Sequence, residues 1–173
     1  MSEIVQIKTL HQLLNFETRK FAVAEVDLQN HLLLWIQKAN SFKLKGILEK
    51  YFEQIKMHVK QLENFFEEEN INYIFLKNKI MHAFIDEVEE KLNNCIDYRI
   101  RDAGLLSSIQ NINHFKIGSY GTAAAFANAL GKSKSAVLFH QFEINEKQID
   151  DRLSQLAEFE VNKNAINIAF INT

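Results

Sequence analysis

Not one proline interrupts this sequence, and only five of its 173 residues are glycine; average usage would supply roughly nine and twelve. Proline breaks the helical hydrogen-bond ladder and glycine raises the entropy cost of ordering. Their scarcity therefore favours long, uninterrupted helices over sheets joined by tight turns. All-β sandwiches and collagen-like folds are poor candidates. With 47% hydrophobic and 24% charged residues, the chain can bury a sizeable core, which excludes wholesale disorder. The expectation is a single domain over residues 1–173, with 1–8 and 161–173 as less regular ends.

Charge narrows the partners. The formal net charge is −2 and lysine outnumbers arginine 16 to 4, which argues against a nucleic-acid surface built on arginine forks. The single cysteine, Cys95, cannot form an internal disulfide and suits a reducing compartment. No basic start runs into an apolar segment and no 18-residue apolar stretch follows, so neither a signal peptide nor a membrane span is expected. These features predict a soluble, cytoplasmic helical protein.

Hydrophobic periodicity places the helices. From 9–39, Leu10, Leu13, Leu14, Phe21, Ala24, Leu28, Leu32, Trp35, Ile36 and Ala39 recur mostly at three- and four-residue steps, and Glu25 falls on the same stripe. Asn40-Ser41 reads as a break and N-cap. A second helix over 42–69 follows on Leu44, Leu48, Tyr51, Ile55, His58, Leu62 and Phe65. An acidic and then Asn-rich stretch leads to a short helix over 79–93, read as a crossover connection. A third long helix spans 97–130, ended by Gly131, which takes the left-handed conformation without strain. Ser133 or Ser135 would cap a fourth, with Val137, Leu138, Phe142, Ile149, Leu153, Leu156 and Phe159 inward. The tail from Val161 has no helical period; its Ile166, Ile168, Phe170 and Ile171 could pack on the bundle or on a partner. Four long helices with one long connection in the middle predict an all-α, ferritin-like four-helix bundle whose crossover between helices 2 and 3 carries a short helix.

Most short motifs have plain structural readings. Gly131-Lys132-Ser133 ends like a phosphate-binding loop, but Phe126 stands where that loop needs glycine, and no strand precedes it. Gly118 and Gly121, beside Ala123 to Ala125, read as close helix packing. The six histidines are scattered singly, which disfavours a closed zinc site. The run Glu67-Glu68-Glu69 reads as a solvated face. More informative are polar residues in inward phase: Glu25, Gln54, Asn113, Lys116, Gln141 and Asn145 fall on four helices at potentially one level. A buried polar group left unpaired costs about 1–3 kcal/mol, so such a set implies a mutual network.

The third-helix segment Arg101-Asp102-Ala103-Gly104-Leu105-Leu106, then Gln110, then His114-Phe115-Lys116-Ile117-Gly118-Ser119-Tyr120-Gly121-Thr122, resembles the YciE/YciF family of ferritin-like bacterial stress proteins. That family typically reads Arg-Asp-Ala, Gln, Glu-His-Tyr-Glu-Ile and Tyr-Gly-Thr here. The resemblance extends to Ala24-Glu25, to His58-Val59 with Leu62-Glu63, and to Glu146-Lys147 with Asp150 and Leu153, over about residues 20 to 160. It implies a ferritin-like bundle, commonly a homodimer, with a dinuclear metal site and a role in stress.

Carried over position by position, the implied ligand set is depleted. Glu25 matches the first-helix glutamate. The second-helix acid falls on Gln54, or on Glu53 if the register slips by one. The two third-helix glutamates fall on Asn113 and Lys116, and the acidic positions of the fourth helix fall on Gln141 and Asn145. Amide carbonyls are neutral, and an ammonium has no lone pair with which to ligate. The expectation is that no cofactor is held and that Lys116 replaces the metal, pairing with Glu25 inside the amide network. The protein would then be non-enzymatic and act by binding or assembly, with its protein partner unspecified. The alternative is an iron-handling or oxidoreductase protein binding iron or another divalent metal through Glu25, Glu53, His58, Glu146 and Asp150. A third reading is a ligand carrier with a pocket near Trp35.

Overall fold

Capping residues set most of the helix ends. The computed structural model describes residues 6–72 and 76–166. Helix α1, Leu10–Lys38, starts where Thr9 Oγ1 accepts the Gln12 N–H, and α2, Phe42–Glu68, starts where Ser41 Oγ accepts that of Leu44. Helix α3, Lys79–Asn94, is capped by Asn78, whose Oδ1 accepts the Met81 N–H. The Asn78 Nδ2 also donates to the Lys20 carbonyl at 3.2 Å, tying the crossover to α1. Asp97 caps α4, Tyr98–Ala129. Gly131, at φ 70°, closes that helix: its N–H bonds the Asn128 carbonyl and the Lys132 N–H bonds that of Ala127. This is a Schellman turn, which satisfies carbonyls the helix end would otherwise leave open.

Helix α5, Ser133–Leu156, begins without a side-chain cap, so neither Ser133 nor Ser135 plays the role expected of it. It runs into a π-helical turn, Ala157–Val161, and a short α6, Asn162–Ile166. The wider turn moves the buried stripe from Leu156 to Val161, a step of five, and leaves Phe159 65% exposed. A continued α-helix would have turned Phe159 inward, as the periodicity predicts. Val137 likewise lies outside, at 70% exposure. Helical structure thus persists to Ile166, beyond the expected irregular boundary at 161; Ile168, Phe170 and Ile171 lie outside the described residues.

Helices α1, α2, α5 and α4 follow one another around a four-helix bundle, and α3 lies over α1 and α4. The chain is therefore an all-α bundle with one long crossover carrying a short helix. Asp102 of α4 fastens its end: its two carboxylate oxygens accept the N–H groups of Asn40 and Ser41, at 2.8 and 2.7 Å. A carboxylate at the N-terminus of α2 also faces the positive end of that helix dipole.

Two apolar clusters fill the interior. One gathers Leu28, Leu32, Trp35, Leu48, Ile55, Ile109, Ile112 and Leu153 with α3 residues Met81 and Ile85. The other gathers Leu14, Phe21, Leu62, Phe65, Ala123, Phe139 and Phe142. Each fully buried large apolar side chain contributes about 1.5–3 kcal/mol, so these clusters drive folding. Gly121 lies against the Glu143 side chain, as close packing requires, whereas Gly118 faces open space and packs against nothing.

Candidate functional site

Between the apolar clusters lies a buried polar layer. Glu25 enters from α1 three residues before Leu28. Tyr51 and His58 enter from α2, seven residues apart, and Asn113, Lys116 and Tyr120 enter from α4 at steps of three and four. Asn145 and Glu146 enter from α5, Glu146 being four residues after Phe142 and three before Ile149. All eight are buried. Helical periodicity alone gives each its inward direction.

Lys116 is the centre of the layer. Its Nζ lies 2.9 Å from Glu25 Oε2 and 2.7 Å from Glu146 Oε1 and donates to the Tyr51 hydroxyl at 3.1 Å, with the Tyr51 ring 4.9 Å beneath it. Tyr51 passes its own hydrogen to Glu146 Oε2 at 2.7 Å, an oxygen that also accepts from Asn113 Nδ2 at 2.6 Å. Tyr120 donates to Glu25 Oε1. His58 stacks on Phe142 at 4.1 Å, with Nδ1 3.3 Å from the same Glu25 oxygen. Its Nε2 meets Asn145 Nδ2 at 3.2 Å. An amide nitrogen can only donate, so Nε2 accepts and the Nδ1 hydrogen faces Glu25. Gln141 then donates to Asn145 Oδ1 at 2.9 Å, carrying the chain of bonds to the surface.

The electrostatics follow from burial and proximity. Burial pushes the Glu25 carboxyl upward, but the Lys116 ammonium, with His58 and Tyr120, outweighs it and brings the group down to about 2. Burial would lower the Lys116 ammonium; the flanking carboxylates of Glu146 and Glu25 raise it instead. Burial and the same two carboxylates hold both tyrosine hydroxyls well above their ordinary range. The layer thus keeps the Glu25 carboxylate and the Lys116 ammonium charged although both are buried, with hydrogen-bond donors around the carboxylate.

Of the positions singled out in the sequence, Glu25, Asn113, Lys116 and Asn145 meet here, and Gln141 reaches the layer only through Asn145. Gln54 does not join: it is half-buried and its Nε2 meets no hydrogen-bond partner. The register slip to Glu53 fails as well, because Glu53 is exposed and paired with Lys56. Asp150 sits beside His114 and Gln110 instead. Trp35 is packed without exposure and gives its indole hydrogen to Glu89 rather than lining a pocket. Glu146, an inward acid on α5 one residue beyond Asn145, supplies the second carboxylate of the layer. Tyr51 and Tyr120 read as core residues from their spacing; a hydroxyl on an inward stripe was the available signal.

Glu25, His58 and Glu146 offer ligand atoms within 4.8 Å of one another. This donor set does not fit a dinuclear centre of the bundle type, which draws on about four carboxylates plus histidines. Two carboxylates and one imidazole are present, and the ammonium of Lys116 lies against both carboxylates, where an ion would have to sit.

Comparison with known proteins places the chain. Residues 9–166 match the family described as Domain of unknown function (DUF892). Protein YciF of Escherichia coli strain K12 is 31% identical over 147 residues, covering 84% of this chain and 89% of that protein. The crystal structure of the E. coli stress protein YciF superposes with a TM-score of 0.86 at 28% identity, covering 91% of this chain and 99% of that one. The fold is also that of YcfI from Rhodopseudomonas palustris, with a TM-score of 0.84 at 23% identity over 89% of this chain and 97% of the other. With 158 consecutive positions matched and a helical bundle shared throughout, the chain belongs to the DUF892 family and is similar to YciF.

Proposed function

We propose that this protein is a metal-free, non-enzymatic member of its family, a ferritin-like bundle that acts through its surface by binding a protein partner or assembling as a homodimer in the cytoplasm. The observation that supports this most is the placement of Lys116 Nζ between Glu25 and Glu146, at 2.9 and 2.7 Å. The charge a metal would bring is supplied by a side chain, and each buried carboxylate is already engaged by groups of this chain. Among the described residues no helix is long and apolar enough to cross a membrane, and the lysine-dominated charge, with only four arginines, offers few arginine forks to nucleic acid. The stress label carried by YciF is the biological hint for this chain.

Elemental analysis of the purified protein, before and after loading with iron, tests the proposal. Metal well below one ion per chain is expected; about two tightly held ions per chain, the content of a dinuclear site, would overturn it. The second reading, an altered iron or oxidoreductase centre, draws on the convergence of Glu25, His58 and Glu146. The same measurement decides between the two.

A further inference from the structure

Two of the histidines that stand alone in the sequence come close together on the outside of the bundle, where α3 lies along α1. The two helices run parallel there: Asn78 reaches the Lys20 carbonyl, His82 faces Asp27, and Glu89 takes the Trp35 indole hydrogen. Asp27 and His31 sit one turn apart on α1 with His82 opposite them on α3, and all three are partly exposed. Asp27 Oδ2 lies 3.4 Å from His82 Nε2, yet this oxygen accepts no hydrogen bond. His31 Nδ1 lies 2.8 Å from the Asp27 carbonyl, which can only accept, so Nδ1 carries the hydrogen and Nε2 keeps its lone pair. Metal-ligating histidines are commonly held in this way, with one ring N–H on a backbone carbonyl and the other nitrogen free. None of the three residues takes part in the buried layer.

We infer that Asp27, His31 and His82 form a surface site for one divalent ion of the zinc class, which clips α3 to α1. Zinc bonds of about 2.0–2.2 Å to nitrogen and oxygen set tetrahedral ligand atoms roughly 3.4 Å apart, the separation that Asp27 and His82 already have. His31 closes on that pair by side-chain adjustment, which its partly exposed position leaves free. Two imidazoles and a carboxylate are donor types that zinc takes, and the fourth position falls to water or to Asp86, exposed one turn beyond His82. Glu89 is not available, being engaged by Trp35 and Lys38. Unlike Glu25 and Glu146, Asp27 is not met by an ammonium: among the described residues its ion-pair partner is His82, itself a ligand type. A metal therefore has no resident cation to displace. The metal-free reading of the buried layer stands beside this site unchanged, because partly exposed ligands surrender their ion to a chelator.

The test adds Zn²⁺ alone to the full chain, stripped beforehand with a chelator, and follows uptake by isothermal titration calorimetry. The wild type is expected to take up about one Zn²⁺ per chain more than the double variant His31→Ala with His82→Ala. Zinc should also raise the melting temperature of the wild type but not of the double variant, since an ion bound only by the folded state stabilises it by mass action. Amide hydrogen exchange in α3 should slow with zinc in the wild type and not in His82→Ala, which removes the donor that α3 supplies. Equal uptake by the wild type and the double variant overturns the inference. So does a wild type that binds no Zn²⁺, in which case His82 and Asp27 form an ion pair and nothing more. Far-UV circular dichroism checks that the variants fold; should the double variant fail to do so, His31→Gln with His82→Gln, which replaces each imidazole with a neutral amide, is read in the same way.

Discussion

Replacing Lys116 with methionine keeps most of the stem and removes only the charge, which isolates the ammonium's contribution. In the wild type Nζ lies 2.9 Å from one buried carboxylate and 2.7 Å from another. At an effective dielectric of about 20, each such contact is worth roughly 6 kcal/mol of attraction before the cost of desolvating the partners. The net is smaller, and breaking a buried pair by removing one partner typically destabilises by about 3–5 kcal/mol because the remaining charge is stranded. Against a total stability of about 5–15 kcal/mol, Lys116→Met should lower the transition temperature by roughly 6–20 °C. Without the ammonium, burial dominates the carboxylates and favours their protonated forms, so the folded variant binds protons more readily than its unfolded chain. Its deficit is therefore expected to shrink as the pH falls from 8 to 5, roughly through the range where buried carboxyls titrate. Urea unfolding followed by circular dichroism at both values measures this. The double variant Lys116→Met with Glu25→Gln should be about 1–3 kcal/mol more stable than the sum of the single losses predicts. A Lys116→Met loss under about 1 kcal/mol, or a strictly additive cycle, would refute a buried, mutually dependent charge layer.

Acid stability carries its own signature. Glu25 is held at about 2 against 4.5 in its unperturbed state, so the unfolded chain takes up this proton first. The contribution, on the order of 3 kcal/mol, is fully present above pH 4.5 and lost as the pH falls toward 2; a urea-unfolding series that is flat across that window in wild type and sloped in Glu25→Gln would contradict it. Tyr51 and Tyr120 are held well above the ordinary tyrosine range. An absorbance titration at alkaline pH should therefore show them ionising only when the bundle unfolds. Asp102→Ala removes the acceptor of two backbone N–H groups at the α1–α2 turn and should cost about 1–3 kcal/mol by equilibrium unfolding. Gly131→Ala places a side chain at φ 70° and should cost about 1 kcal/mol, visible as a lower melting temperature.

What the sequence determined by itself is the set of helices and the direction most of their residues face. Absent proline, a 3.6-residue apolar rhythm, Ser41 as a cap and Gly131 as a stop are local properties, and local rules read them correctly. The inward phase of Glu25, Asn113 and Lys116 was legible for the same reason. Phase, however, carries no information about height. Gln54 and Asn145 both point partly inward, yet only Asn145 meets the layer: Gln54, between Tyr51 and His58, has the height but lies at the edge of the buried stripe and stays half-buried, and what an edge residue reaches depends on the offset between neighbouring helices. That offset is set by side chains interdigitating across helices and is a property of the packed bundle. For the same reason Glu146, one residue beyond Asn145, became the second carboxylate of the layer. Phe159 was turned outward by a π-helical turn that no periodicity within α5 announces. Sequence determined that an ammonium and a carboxylate would be buried; tertiary structure decided that two carboxylates and the Tyr51 hydroxyl would close around that ammonium, with the His58 imidazole and the Tyr120 hydroxyl on Glu25, because only packing brings residues from four helices to one level.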